Sequence, residues 1–221
     1  NNPPIVRLSG SGNQKIIGHY HQIETRTGFQ EGGLCATSCQ VRAETQANIH
    51  INKPSGSVTL VGNIAFSRDF TLISLGTPII ANTSTLTTTS THTNSKATIS
   101  LPGVNLYDVH FEQAAILTGD LIIKNNLTIG NTTNLWTNIF GNSHRLNVSG
   151  DVTFLNQARH FFATFVLDGP ATQNITLTNW TRGPANFSNN ETPARIEINK
   201  PSATVNFYGN FDNSANYSNP Y

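Results

Sequence analysis

The residues best equipped for chemistry are acidic, and the chain has 12 of them, scattered along 221 positions. Two, Asp120 and Asp151, each follow a glycine in the same local phrase, Thr-Gly-Asp-Leu and Ser-Gly-Asp-Val. If the phrase marks one corner of a repeating coil, the two carboxylates stand one coil apart and could approach each other. Glycoside hydrolysis needs such a pair, one group to protonate the leaving oxygen and one to attack or to activate water. Clustered carboxylates would also suit Ca²⁺. The same phrase recurs with Asn63 and Asn210 at the acidic position, however. A position that exchanges Asp for Asn is a turn former before it is a catalyst. No nucleophile elbow, P-loop, HExxH or Cys–His pairing is present. The chain reads as non-enzymatic, with no catalytic residue, no cofactor and no metal site.

The other reactive types lead to structural expectations. Cys35 and Cys39, in Cys-Ala-Thr-Ser-Cys, are the only cysteines. They could be half of a metal site, but two further ligands are missing, so a small local disulfide in an exported protein is the better reading. It would close a very short loop and add little stability. In His19-Tyr20-His21 the two imidazoles would share one face of a strand. With no third ligand at a recognisable spacing, these histidines are expected at the surface or half-buried. Thr83 to Thr93 reads Thr-Ser-Thr-Leu-Thr-Thr-Thr-Ser-Thr-His-Thr. A regular Thr ladder could face ice, but here the spacing lapses and no second ladder follows, so an exposed loop or edge is expected. The sequon Asn-x-Ser/Thr occurs at Asn82, Asn126, Asn131, Asn147, Asn174, Asn179, Asn186, Asn190 and Asn216. Two readings stay open for these: N-glycosylation of an exported protein with outward-facing acceptors, or the plain abundance of Asn and Thr.

The elements that must position such groups are short strands. Leu146-Asn-Val-Ser-Gly-Asp-Val152 alternates apolar with polar residues and then kinks at a permissive glycine. Related phrases run from Val58 to Ile64, Ala115 to Leu121, Ile175 to Trp180 and Val205 to Phe211. Their markers Gly119, Gly150, Asn179 and Gly209 lie about thirty residues apart, an interval typical of solenoids, propellers and arrays. A longer string is also duplicated: Ala47-Asn-Ile-His-Ile-Asn-Lys-Pro-Ser-Gly-Ser-Val58 and Ala194-Arg-Ile-Glu-Ile-Asn-Lys-Pro-Ser-Ala-Thr-Val205. It suggests one supersecondary piece used at two levels of a stack. Only Tyr107 to Ala115 invites a short helical turn.

Composition agrees with this vocabulary. Asn and Thr are the commonest residues, charged residues make up 11%, and the net charge is +1, which argues against nucleic acid as a partner. No run approaches the about 20 apolar residues needed to span a membrane, so no membrane insertion by this segment is expected. A phrase with one apolar face cannot bury that face alone, but stacked coils can, each strand pairing with its counterpart above and below. The expected fold is all-β, a parallel β-helix (solenoid) of roughly seven coils at about thirty residues each. An antiparallel β-sandwich is the alternative. Residues 1–46 would be irregular N-terminal strands carrying the Cys35–Cys39 loop, and 47–221 the coils, in one continuous domain or two.

The span Asn126-Leu-Thr-Ile-Gly-Asn-Thr-Thr through Trp136, then Ser143-His144 and Asn147-Val-Ser to Thr153-Phe154, resembles secreted high-molecular-weight adhesins of the two-partner-secretion, filamentous-haemagglutinin-like type. Autotransporter passenger domains share the texture. The resemblance implies a right-handed β-helix, secreted or on a bacterial cell surface, that binds host or cell-surface glycans or proteins in virulence and carries sugars on its sequons. It transfers no binding residue. The alternatives are a structural subunit of an extracellular filament or surface layer, self-associating end to end, and a polysaccharide-active β-helix enzyme.

Overall fold

The computed structural model describes residues 4–19, 25–30, 33–40, 47–74, 76–89, 96–130, 137–141, 143–155, 158–161, 163–178 and 195–209. In chain order the strands are β1 Ile5–Leu8, β2 Gln14–His19, β3 Thr25–Gln30, β4 Gly33–Gln40, β5 Asn48–Ile51, β6 Val58–Phe66, β7 Phe70–Leu72 and β8 Ile79–Ile80. There follow β9 Thr85–Thr88, β10 Ala97–Ser100, β11 Asn105–Leu106, β12 Asp108–Phe111, β13 Ala115–Leu117, β14 Leu121–Ile123, β15 Leu127–Ile129 and β16 Thr137–Phe140. The last are β17 Arg145–Val148, β18 Val152–Phe154, β19 Ala158–Phe161, β20 Thr164–Leu167, β21 Gln173–Leu177, β22 Arg195–Ile198 and β23 Val205–Tyr208. No helix occurs among the described residues, and the helical turn expected at Tyr107 to Ala115 is replaced by β12. There Val109 and Phe111 point inward and Asp108 and His110 outward, so the period is two.

The strands form three parallel sheets. Sheet I runs β1-β5-β7-β10-β13-β16-β19, sheet II β11-β14-β17-β20-β22, and sheet III β2-β6-β9-β12-β15-β18-β21-β23, with β8 paired to the side of β6. From β10 onward the chain visits sheets I, II and III in turn, four times over, as β10-β11-β12 through β19-β20-β21. Each round lays a rung on the one before, the strand arrangement of a β-solenoid. Only β3 and β4 pair antiparallel among the described strands, so the β-sandwich alternative is set aside. β1 and β2 are the first strands of sheets I and III, which joins the start of the chain to the same stack.

The core is the set of inward columns that alternation creates. Ile49, Phe70, Ile99 and Leu117 line sheet I, Leu121, Leu146 and Phe165 sheet II, and Leu86, Val109, Leu127, Val152 and Ile175 sheet III. All are buried in one cluster. Each such side chain contributes about 1.5–3 kcal/mol on leaving water.

The interval of about thirty residues is not the repeat of the stack. Asp108, Asn126, Asp151, Asn174 and Asn206 occupy one column, and successive members are 18, 25, 23 and 32 positions apart. The glycine markers fall at different corners: Gly119 follows a strand of sheet I and Gly150 one of sheet II. Their surroundings differ accordingly. A Cβ on Gly150 would run into the carbonyl oxygen of Asn125, whereas one on Gly119 would meet open space.

The duplicated string likewise turns two different corners. Its first copy leaves sheet I at β5 and its second leaves sheet II at β22. Both copies do the same work. Lys53, only 3% exposed, donates to the carbonyls of Gly10 at 3.0 Å and Gly12 at 2.6 Å and to Gln14 Oε1 at 3.0 Å. Lys200 donates to the carbonyls of Gly169 at 2.5 Å and Ala171 at 2.6 Å. Each ammonium thus satisfies turn carbonyls of the preceding rung, which no strand partner reaches.

Candidate functional site

The structure separates the two carboxylates considered for catalysis. Asp120 precedes β14 in sheet II, where its Oδ1 accepts the backbone N–H of Arg145 at 2.9 Å and lies 3.4 Å from His144 Nδ1. Asp151 precedes β18 in sheet III, where its Oδ1 accepts the N–H of Asn174 at 2.8 Å and its Oδ2 the side-chain amide of the same residue at 3.0 Å. The two stand at different corners and form no acid–base pair. Each carboxylate caps the strand of the next rung, the task Asn126 performs with its amide oxygen on the N–H of Asp151 at 3.0 Å. That shared task is why Asp and Asn exchange here.

β4 carries both Cys35 and Cys39 in one extended segment. A disulfide needs Cα atoms within about 7 Å, whereas four residues of regular strand span about 13 Å. Pairing with β3 shifts register between Thr27 and Phe29, which places extra residues of β4 around Cys35. The cysteine side chains lie outside the described residues, as does His21, while the backbone of His19 ends β2. Among the described residues no group of three or more His, Cys, Asp or Glu could hold a metal ion. No described helix is long and apolar enough to cross a membrane.

Four sequons are described. Asn82 is exposed on the turn before β9, and Asn126 is exposed with its oxygen committed to Asp151. Asn147 is half-buried in β17, and Asn174 is half-buried between Asp151 and Asn206. Asn131, Asn179, Asn186, Asn190 and Asn216 lie outside the described residues.

The expectation of an exposed Thr-rich loop fails over Thr85 to Thr89. Thr85–Thr88 form β9 in the middle of sheet III, and Thr87, Thr88 and Thr89 are fully buried. A threonine column does recur from rung to rung, running across the strands and not along one. On the outer face of sheet III, Thr87 is followed in register by His110, Thr128, Thr153, Thr176 and Tyr208. Two positions earlier on the same face run Thr85, Asp108, Asn126, Asp151, Asn174 and Asn206. The motif is Asn/Asp-apolar-Thr in β15, β18 and β21, so the sequons at Asn126 and Asn174 are also strand motifs.

The result is a strip of hydroxyl, amide and carboxylate groups repeating at about 4.8 Å along the stack, with about 6.7 Å between its two columns. Thr128, Thr153 and Thr176 are half-buried, open to solvent between their neighbours. His110 interrupts the column. Its Nε2 lies 2.8 Å from the Gly130 carbonyl oxygen. Burial pushes its pKa below the ordinary histidine value, against the opposing effects of that carbonyl and of Glu112. The imidazole is therefore neutral near pH 7 and donates from Nε2.

Comparison with family models, with curated protein sequences and with solved structures finds no match.

Proposed function

We propose that this chain is a non-catalytic segment of an extracellular adhesin, a right-handed parallel β-helix that binds a host or cell-surface glycan along the outer face of sheet III. The observation that carries the reading is the polar strip of Asn126/Thr128, Asp151/Thr153 and Asn174/Thr176, held in register by three consecutive strands. A surface that repeats along one axis offers the same donors and acceptors to each successive unit of an extended sugar chain. The carboxylates along it are engaged in capping backbone N–H groups, an arrangement for holding shape. The hand follows from the strong preference of parallel strand–crossover–strand connections for the right-handed turn. In this reading the stack keeps roughly seven coils; eight described strands, β2 through β23, lie on the sheet III path.

Export would also suit a Cys35–Cys39 disulfide and glycans on accessible sequons, Asn82 first among the described ones because it is exposed on a turn. Glycan-array and cell-binding assays on the purified chain test the reading. Binding to extended glycans without release of shortened products supports it. A chain that binds nothing on either platform is a spacer, and a chain that cleaves its ligand is an enzyme.

A further inference from the structure

The two outer columns of sheet III carry fixed charge of one sign. Asp108 and Asp151 stand two rungs apart in one of them, about 10 Å at the spacing of parallel strands. From β6 to β23 neither column holds a lysine or an arginine. Asp108 Oδ1 accepts the side-chain amide of Asn125 and the backbone N–H of Asn126, both at 2.8 Å. Asn174 holds Asp151 with the same two kinds of donor, its backbone N–H and its side-chain amide. All these donors are neutral, so they fix the carboxylates without cancelling their charge. Two positions beyond His110, Glu112 adds a buried carboxylate. The imidazole itself is neutral near pH 7 and donates to the Gly130 carbonyl. Lys124 is exposed on the turn between β14 and β15, outside both columns.

The hydrogen-bonding groups point to the same class of ligand. Thr128, Thr153 and Thr176 present hydroxyls, which both donate and accept, while the carboxylates of Asp108 and Asp151 only accept. A sugar hydroxyl answers both kinds of group. It donates to a carboxylate in a charge-assisted bond and exchanges bonds with a threonine. A uronate or a sulfate offers acceptors alone, and it would set its charge against the two aspartates with no cation in either column to pair with it. Charge placed against an unwanted ligand discriminates as effectively as contacts made to the right one. We propose that the strip selects an uncharged glycan chain and turns acidic chains away, with Asp108 and Asp151 as the residues that set this specificity. The assignment rests on the glycan reading of sheet III and adds to it the class of chain that binds.

Titration calorimetry on the full chain tests it with two panels of hexasaccharides. One panel is neutral, made of cello-, manno- and chito-oligosaccharides, and the other is acidic, made of galacturonate and mannuronate oligomers. At low salt the best neutral chain is expected to bind at least about tenfold more tightly than the best acidic one. The gap should narrow as salt screens the aspartates. Asp108→Asn combined with Asp151→Asn removes both charges and leaves an amide oxygen at each position. Provided the circular dichroism spectrum is unchanged, the preference for neutral chains should largely disappear. Where the double variant does not keep its β spectrum, Asp151→Asn alone carries the same comparison, with a smaller loss of preference expected. An acidic chain bound as tightly as any neutral one at low salt overturns the proposal and leaves the strip a glycan site. So does a preference that survives the loss of the carboxylates. Binding to neither panel overturns both the proposal and the glycan reading beneath it.

Discussion

The Asp151 carboxylate accepts the backbone N–H of Asn174 at 2.8 Å, binding one rung to the next across 23 positions of sequence. Replacing Asp151 with Asn keeps an acceptor oxygen at that site, and replacing it with Ala leaves the strand N–H without one. Asp151→Asn is expected to lower stability by well under 1 kcal/mol and Asp151→Ala by about 1–2 kcal/mol. Urea unfolding of both variants checks the difference. A group acting as a catalytic carboxylate would instead be crippled by either change.

Lys53 is buried, and three oxygens surround its ammonium. Lys53→Met keeps the stem and abandons those oxygens, at an expected cost of about 1.5–3 kcal/mol. Lys200→Met, at a more open corner with two carbonyl partners, is expected to cost less. Paired denaturation curves for the two variants test the order.

Leu146 connects Leu121 to Phe165 in the inward column of sheet II and is fully buried. Leu146→Ala is expected to destabilise the chain by about 2–5 kcal/mol through lost transfer energy and the cavity left behind. Thr153→Ala, on the outer face one strand later, should shift the unfolding midpoint little. A reversed order would mean that the inward and outward faces have been exchanged.

His110 gives the stack a weakness in acid. Its pKa is lower folded than unfolded, so on acidification the unfolded chain takes up the proton first, starting near the ordinary value of about 6.5. The stability contributed by the neutral, buried imidazole is complete above that pH and is lost as pH falls towards the folded-state pKa. His110→Thr installs the residue that the column carries at Thr87 and Thr128. The variant should lose less stability than the parent between pH 7.5 and pH 5, as read from unfolding midpoints at both pH values.

Much of this architecture was legible in the sequence, because alternation with a period of two is written wherever an apolar residue faces in and a polar one faces out. Leu146 and Val148 flanking Asn147 show it plainly. The repeat length was not legible. Gly119 and Gly150 look alike in sequence, yet the first stands at an open corner and the second where backbones approach closely, so counting between them measured a distance between unlike corners. The threonines of β9 were misread for a related reason: a run with little apolar contrast carries no period, and Thr87 and Thr88 are buried regardless. The outer columns of sheet III could have been found by aligning Asn126-Leu-Thr, Asp151-Val-Thr and Asn174-Ile-Thr, a three-residue signal too short to stand out before the register was known. The duplicated string keeps Lys53 and Lys200 at one place, but their role stayed hidden, because the carbonyl partners of Lys53 are turn backbone about 40 positions away.

The strip on sheet III is the surface on which the account depends, and one substitution interrogates it. Thr153 lies at its centre, in register with Thr128 and Thr176. Thr153→Arg lays a long side chain along the column without touching the core. The most direct measurement is the affinity of parent and variant for an extended glycan selected from an array, at matched salt and with unfolding midpoints recorded alongside. Binding is expected to weaken at least about tenfold, about 1.4 kcal/mol, with the midpoint unchanged. Unaltered affinity in a folded variant would contradict it and place binding elsewhere on the molecule.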